Sequence, residues 1–240
     1  MRKVSSIFAA VAGCALLAGT ALASNNVRIS QVYGGGGGGS GTYANDYIEL
    51  FNNSGSAVSI GGWSLQYGSS TGSSFGSSSG NAALIPAGAS IPPCGYYLIQ
   101  VGTASSSTTG AALPVTPDLV SPTGPNMAAA AGKVALINNQ TIPGPACSGN
   151  TSGPNYVDVV GYGGGSGSCY ETAFTPATSS TTTAVRKGAG TQDTDNNSAD
   201  FDILASSTVT IHNSSSAGNP GCLSTPTGPS TWGKIKVLYR

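Results

Sequence analysis

Apolar and polar residues alternate with a period of two in several short windows of the chain, as they do in half-buried strands. In the clearest window, residues 63–67, Trp63, Leu65 and Tyr67 share one face. Tyr96–Val101 is a nearly continuous apolar run, which is typical of a strand covered on both faces. Similar windows lie at 27–29, 48–50, 58–60, 134–136, 157–162 and 209–211. The pattern predicts eight or nine strands, no helix, and two antiparallel sheets packed as a sandwich.

The segments between these windows are long and have a low sequence complexity. Residues 34–39 are six glycines, and residues 68–82 and 102–112 are mostly Ser, Gly, Thr and Ala. Charged residues make up only 8% of the 240 residues, against 36 glycines and 14 prolines. This composition suits short strands joined by long Gly/Ser-rich loops. The glycine run lacks the Lys-Ser/Thr ending of a phosphate-binding loop, so we expect a hairpin there.

The start of the chain has the features of a secretory signal peptide. Met1-Arg2-Lys3 is basic, residues 4–22 are mostly apolar and small, and Ala21-Leu22-Ala23 fits a cleavage site. Residues 1–23 are therefore predicted to be removed on export, leaving no stable transmembrane segment. An alternative is that 11–14 form a lipobox and that Cys14 carries a lipid anchor. The apolar residues 15–17, which would follow that anchor, argue against this alternative.

The rest of the chain divides into three parts. We expect a β-sandwich domain over residues 24–212, a Ser/Pro/Gly linker over 213–230, and an aromatic, basic tail over 231–240. In the tail, Trp232, Ile235 and Tyr239 share an arc if the segment is helical, whereas Ile235 and Tyr239 share a face if it is a strand. The tail is interpreted either as a sorting or docking tag or as an element packed on the body.

Four cysteines remain after removal of the signal peptide, and an even number in an exported chain predicts two disulfides. Cys147–Cys169 is the most local of the possible pairs. It closes a loop of about 20 residues, worth roughly 3 kcal/mol. Cys94–Cys222 then follows by elimination.

The net charge of the predicted domain argues against one class of partner. Residues 24–212 contain four basic and nine acidic side chains, a balance of −5. An acidic body does not attract phosphates, so nucleic acid is excluded as the expected partner.

The residues do not assemble a recognisable catalytic motif. His212 is the only histidine, and it lies where the last predicted strand meets the linker, so we interpret it as an exposed strand end. No nucleophile elbow of the Gly-x-Ser-x-Gly type stands on a predicted strand-to-helix turn. The acids Asp46, Glu49, Asp158 and Glu171 fall in separate segments, and Glu49 is expected to face outward or to satisfy a backbone group. We therefore expect no enzymatic activity.

One segment carries side chains that could bind Ca²⁺. Asp193, Asp195 and Asn197 alternate along the chain, and Asp200 could add a fourth oxygen ligand. Ser198 and Leu204 replace the Gly and Glu of an EF-hand, so that motif is rejected. The alternative is that these side chains form Asx-turns and cap backbone amides.

Several sequence blocks resemble a known family. Residues 45–53 (NDYIELFNN) and 58–66 (VSIGGWSLQ) resemble the signature of lamin tail domains, in the bacterial exported branch. Similar blocks follow at 92–100, 132–136, 157–163 and 193–201, so the resemblance spans about residues 27–203. It implies an immunoglobulin-like β-sandwich that acts as an interaction or targeting module.

These observations together predict an exported, non-catalytic binding, adhesion or anchoring module. Its expected site of action is at or outside the cell surface, and its expected partner is an extracellular polymer or a surface protein. One alternative is an envelope or matrix structural protein. Another is an extracellular hydrolase whose carboxylate pair is not evident from the sequence.

Overall fold

The computed structural model describes residues 26–103, 110–146, 149–150, 155–165 and 169–222. Its strands are β1 (Val27–Tyr33), β2 (Asp46–Asn52), β3 (Val58–Ser59), β4 (Ser64–Ser69), β5 (Ala82–Leu84), β6 (Ser90–Ile91), β7 (Tyr96–Val101), β8 (Leu119–Ser121), β9 (Gly132–Ile137), β10 (Gly149–Asn150), β11 (Tyr156–Tyr162), β12 (Cys169–Tyr170), β13 (Thr182–Arg186) and β14 (Phe201–Ala205). One helical turn, α1, spans Asn197–Asp200, and 3-10 turns lie at Ser79–Asn81, Lys187–Gly190 and Ser206–Thr208.

Two sheets pack face to face, as predicted. The larger sheet has six strands in the order β14-β13-β1-β2-β7-β8, and the smaller has four in the order β11-β9-β4-β5. Two-stranded pairs form between β3 and β6 and between β10 and β12. Every pairing is antiparallel except β7–β8 and β10–β12. The predicted all-β sandwich is therefore confirmed.

The main core lies between the two sheets. Trp63, Leu65 and Tyr67 belong to it together, so their predicted common face is confirmed. In β7, Tyr97, Ile99 and Val101 enter the same core. Because the apolar side chains of both sheets alternate into this layer, their burial removes a large apolar area from water and stabilises the sandwich.

The outer face of the six-stranded sheet is covered as well. Every residue of β1 and β2 is buried. A second apolar cluster lies on this outer face and consists of Tyr33, Tyr43, Tyr47, Leu98 and Ile211. Leu98 enters this second cluster while its neighbours enter the main core, so β7 is covered on both faces, as its continuous apolar sequence predicts.

Residues 206–222, which we call the C-terminal strap, form part of that cover. The Tyr43 hydroxyl donates to the Ser206 carbonyl at 3.0 Å, and Gln31 Nε2 donates to the Thr210 carbonyl at 2.8 Å. Farther along, the backbone N–H of Ser214 donates to the Asp118 carboxylate at 2.9 Å. The strap therefore crosses from β14 over the sheet towards β8.

The strap corrects two expectations from the sequence. The window 209–211 alternates like a strand but has no strand pairing in the structure. Its apolar residue Ile211 is buried because it packs on the tyrosine cluster. The linker predicted from residue 213 is wrong for residues 213–222, because Ser214 is bonded to the body and Cys222 is cross-linked to Cys94.

The glycine run lies in the connection between β1 and β2, so the predicted hairpin is confirmed. A Cβ atom at Gly36 would lie 2.1 Å from the carbonyl carbon of Asn45, which only glycine avoids. The backbone N–H of Gly36 donates to Asp46 Oδ1 at 2.7 Å, and that of Met127 donates to Asp46 Oδ2 at 2.7 Å. Burial raises the pKa of Asp46 to about 7 in spite of these two donors.

Candidate binding cavity

A cavity of about 320 Å³ opens on the outer face of the six-stranded sheet. Its floor is made by side chains of the central and edge strands, and its two walls are the turn Lys187–Gly190 and the part of the strap before His212. The principal side chains are Glu49, Tyr96, Val185, Leu204, Thr210 and His212. The strap therefore forms part of the cavity wall.

Glu49 lies at the base of this cavity, and its side chain is only 1% exposed. Its Oε1 accepts a hydrogen bond from Ser30 Oγ at 2.7 Å. Its Oε2 accepts from the backbone N–H of His212 at 2.7 Å, and Gln31 Nε2 lies 3.2 Å from both oxygens. Glu49 points to the outer face of the sheet, as its alternation with Ile48 and Leu50 predicts, but the strap buries it there, and it satisfies the backbone N–H of His212.

The His212 ring is fixed by two further contacts. Its Nδ1 lies 3.1 Å from Glu49 Oε2, and its plane stacks on Tyr96 with ring centroids 4.1 Å apart and an interplanar angle of 15°. The side chain is 23% exposed, so the predicted exposed strand end is wrong. Within the described part of the chain, His212 Nε2 has no hydrogen-bond partner. The ring therefore presents one unused nitrogen on a rigid support.

The rim of the cavity combines an ion pair with an apolar surface. Lys187 Nζ lies 3.6 Å from Asp202 Oδ1 and donates to the Ala199 carbonyl at 2.7 Å. Leu204 is 42% exposed, which is unusual for a large apolar side chain in this protein. Concave sites with apolar walls and a few placed polar groups are the usual geometry of small-ligand binding.

The hydrogen bonds in the cavity converge on Glu49. Ser30 Oγ donates to Glu49 and not to His212, so the serine and histidine do not form a nucleophile and base pair. Both carboxylate oxygens of Glu49 are already occupied. The geometry therefore assigns Glu49 to holding the strap in place.

A second polar cluster lies inside the protein around Arg186, whose side chain is fully buried. Its Nη2 donates to Asp158 Oδ2 at 2.8 Å, its Nε donates to the Ile29 carbonyl at 2.8 Å, and its Nη1 donates to Asp193 Oδ1 at 3.1 Å. Asp158 Oδ2 also accepts the backbone N–H of Ile29 at 2.6 Å. Because Ile29 and Asp158 belong to different sheets, this cluster joins the two sheets.

The predicted calcium ligands lie beside this cluster but are used in other contacts. Asp193 pairs with Arg186, and Asp200 accepts the N–H and the hydroxyl of Thr194, both at 2.8 Å. Asn197 Oδ1 instead accepts the backbone N–H of Gly161 at 2.9 Å.

Asp195 is exposed, with a left-handed backbone. In the described ranges, no group of three or more His, Cys, Asp or Glu residues is placed to hold a metal. The alternative role, capping of backbone amides, accounts for Asp200 and Asn197. Calcium binding stays a prediction.

Two acids that are separate in the sequence meet beside Arg186. The side chains of Asp158 and Glu171 are hydrogen-bonded, and Asn197 Nδ2 donates to Glu171 Oε2 at 2.9 Å. Burial, and then the charge of Asp158, raise the pKa of Glu171 to about 9. This shift favours the protonated form of Glu171 near neutral pH. Because Asp158 also bonds Ile29, Val159 and Arg186, we interpret the pair as structural.

The disulfide predictions are partly confirmed. Cys94 and Cys222 form a disulfide, as predicted. Cys169 is also disulfide-bonded. Cys147 lies outside the described residues, so the pair Cys147–Cys169 stays a prediction.

Other predicted features lie outside the described residues as well. These are the signal peptide 1–23 with the alternative anchor Cys14, and the tail residues Trp232, Ile235 and Tyr239. Across the described ranges, none of the helices has the length and apolar character needed to span a bilayer.

The sandwich and its covered outer face define an all-β module of the immunoglobulin-like type. The chain matches the Lamin Tail Domain family over residues 20–164, more than half of its length, and therefore belongs to that family. No curated protein matches the chain. The match ends before the block 193–201, which had been expected to belong to it.

The cavity is thus built from two parts of the chain. Ser30, Gln31, Glu49 and Tyr96 lie within the family match, whereas the turn Lys187–Gly190, β14 and the strap lie beyond it. The site could not be predicted from the sequence because Glu49 and His212 are 163 residues apart. The alternation of Glu49 with Ile48 and Leu50 predicts which face of the strand carries Glu49, but it does not predict the partner of its carboxylate.

Proposed function

We propose that this protein is an exported, non-catalytic binding or anchoring module that acts at or outside the cell surface. The observation that carries the proposal is the cavity beside His212, whose acid and base groups are held by internal hydrogen bonds and whose walls are apolar. Such a site is preorganised for recognition. Membership of the Lamin Tail Domain family supports a module of interaction and not of chemistry.

Export is supported by the signal-like residues 1–23 and by the Cys94–Cys222 disulfide, because disulfides persist in oxidising compartments. We assign the chain to a bacterial exported branch of the family on the basis of its sequence blocks. The alternative form of attachment is a lipid anchor at Cys14. Mass spectrometry of the mature protein distinguishes the two, since cleavage before Ser24 and acylation at Cys14 give different N-terminal fragments.

The proposed partner is an extracellular polymer or a surface protein. The balance of four basic and nine acidic residues in 24–212 argues against nucleic acid. The proposal is tested by incubating purified protein with cell-wall fractions, extracellular polysaccharides, surface-protein extracts and duplex DNA at physiological salt. Saturable binding to a wall, polysaccharide or surface-protein fraction is expected. Binding to DNA alone, or to nothing, would overturn the proposal.

A second candidate function is that of an envelope or matrix structural protein. The observation that favours it is that the three large apolar side chains exposed in the described residues all lie on edge strands. They are Leu84 on β5, Val120 on β8 and Leu204 on β14. Exposed apolar edges promote pairing between chains. This function predicts concentration-dependent self-association in light scattering, and a monomer at all concentrations would exclude it.

A further inference from the structure

We propose that the cavity beside His212 binds one residue of a neutral polysaccharide, and that the free imidazole nitrogen of His212 forms a hydrogen bond with a sugar hydroxyl. This inference rests on the proposed binding function and specifies its ligand. The rigidity, the charge balance and the surface chemistry of the cavity support it.

Rigidity comes from the supports around the ring. Glu49 bonds both the backbone and Nδ1 of His212, and Tyr96 stacks against the ring face. The strap that carries His212 is held on its far side by Asp118 and by the disulfide of Cys222. A ligand that meets Nε2 therefore orders no flexible side chain, which lowers the entropic cost of binding.

The charge balance favours a neutral ligand. At the rim, Lys187 is paired with Asp202 and also donates to the Ala199 carbonyl. Arg186 is paired with Asp158 and Asp193, and Glu49 is occupied by its four donors. An anionic ligand would require an unpaired cation in the cavity, and a cationic ligand would require an unpaired carboxylate. Both kinds of charge are already compensated.

The surface chemistry fits a sugar ring, which has apolar C–H faces and hydroxyl edges. Val185, Leu204 and Val209 supply apolar contact area. Apart from the lysine and aspartate of the rim, polar contacts are available from His212 Nε2 and from the Thr210 hydroxyl, neither of which has a partner in the described part of the chain. The volume of about 320 Å³ is at the lower end of small-ligand sites, which suits a single ring.

The test uses the single histidine of the chain as its own probe. Protein purified without a histidine tag is titrated with cellobiose, xylobiose, mannobiose and diacetylchitobiose, and the imidazole resonances are followed by NMR. At least one disaccharide is expected to shift them saturably, with a Kd in the millimolar range. Absence of any shift at roughly 50 mM, where a site of about 1 mM is saturated, would overturn the inference.

Substitutions inside and outside the cavity distinguish binding in the cavity from binding elsewhere on the protein. Leu204→Lys blocks the cavity at an exposed position, so we expect normal folding and at least tenfold weaker binding. His212→Asn is expected to weaken binding by a similar factor, measured by calorimetry. Thr141→Val, in a separate concavity of about 240 Å³, is the matched control and should bind normally. Equal binding by Leu204→Lys and wild type would contradict the inference.

The outcome also separates this inference from the proposed function. If a wall or surface-protein fraction binds but no disaccharide shifts His212, the inference fails and the binding function stands. If neither binds, both fail. A shift caused by a charged peptide or an acidic sugar, but by none of the neutral disaccharides, would overturn the ligand class.

Discussion

The Glu49 carboxylate accepts hydrogen bonds from both the backbone N–H and the ring of His212, at 2.7 and 3.1 Å. These contacts join β2, in the six-stranded sheet, to the C-terminal strap, which follows β14. The first prediction concerns this relationship. Glu49→Gln places an amide NH₂ opposite N–H donors, so we expect a loss of about 2–4 kcal/mol in the free energy of unfolding, measured with urea.

The control for this substitution is Asp202→Asn on the rim. The Asp202 side chain is 56% exposed, and its ion pair with Lys187 lies in water, so the expected change is within about 1 kcal/mol. Equal losses for the two variants would contradict the role given to Glu49. We also expect Glu49→Gln, and not Asp202→Asn, to shift the His212 ring resonances.

The second prediction concerns Arg186, which is buried among carboxylates. Arg186→Met leaves the buried Asp158 without its cationic partner and leaves Asp193 with Arg28 alone, and the loss of a buried partner costs about 3–5 kcal/mol in urea unfolding. Arg186→Lys should recover little of this, because a lysine cannot reproduce the several fixed donors of a guanidinium. Lys187→Met, at the next position, is the control and should cost no more than about 1 kcal/mol. A mild effect of Arg186→Met would show that the cluster does not hold the sheets together.

The third prediction is a pH dependence at Glu171. Its pKa in the folded protein is about 9, above the ordinary 4.5, so the folded state binds one more proton than the unfolded state between these values. The stability from this proton is complete below about pH 4.5 and is lost as the pH rises through 9. Glu171→Gln keeps a donor to Asp158 and an acceptor for Asn197 but does not titrate.

The variant and wild type should therefore differ by less than about 1 kcal/mol near pH 5. At pH 9.5 the variant should be more stable by several kcal/mol, because wild type loses about 1.4 kcal/mol for each pH unit between the two pKa values, as measured by urea unfolding at each pH. Glu171→Ala is the comparison that removes the hydrogen bonds at every pH. A constant difference between Glu171→Gln and wild type would contradict a protonated Glu171.

The fourth prediction concerns the cross-link at the end of the strap. Replacing both Cys94 and Cys222 by Ser opens a loop whose ends are 128 residues apart, which corresponds to about 5 kcal/mol of loop entropy. We expect a lower Tm and a mobile His212 ring. Mature wild-type protein should contain no titratable thiol when denatured. Two or more thiols per chain would contradict the prediction of two disulfides.

The fifth prediction tests calcium. An ion held by Asp193 and Asp200 would have to replace the contacts of these side chains with Arg186 and Thr194. If the predicted site binds calcium, Tm rises with excess Ca²⁺ and falls with chelator, and Asp193→Asn removes both effects. A Tm that changes with neither addition would end the calcium hypothesis.

Strands with local signals could be predicted from the sequence. The alternation of Trp63, Leu65 and Tyr67 and the apolar run Tyr96–Val101 gave the correct faces. By contrast, β13 was missed because its sequence, Thr-Thr-Ala-Val-Arg, does not alternate between apolar and polar residues. It buries Thr183 and Arg186, which are satisfied by hydrogen bonds to Ser206 and to the Ile29 carbonyl. Residues 209–211 show the opposite failure, since an alternating pattern there packs on the sheet without pairing.

The candidate site depended on contacts that no local pattern encodes. Glu49 could be placed on a face, but its partner His212 comes from the far end of the described chain. Asp158 and Glu171 meet only because the segment after β11 folds back along it. The family resemblance predicted the sandwich correctly, and it carried no information on the strap because the resembling blocks end before residue 206 and the family match ends at residue 164.

The cover on both faces of the six-stranded sheet restricts how copies of this protein could assemble. With its faces occupied, the sheet offers only β14 and β8 for backbone pairing with another chain. Pairing of β14 with β14 of a second copy, in antiparallel register, would generate a two-fold axis and a closed dimer. Pairing of β14 with β8 would be head-to-tail and would continue as an open filament. For an assembly formed through this sheet, Leu204 and Val120, one on each edge, therefore set the symmetry, and substitution of one residue or the other would distinguish a dimer from a fibre.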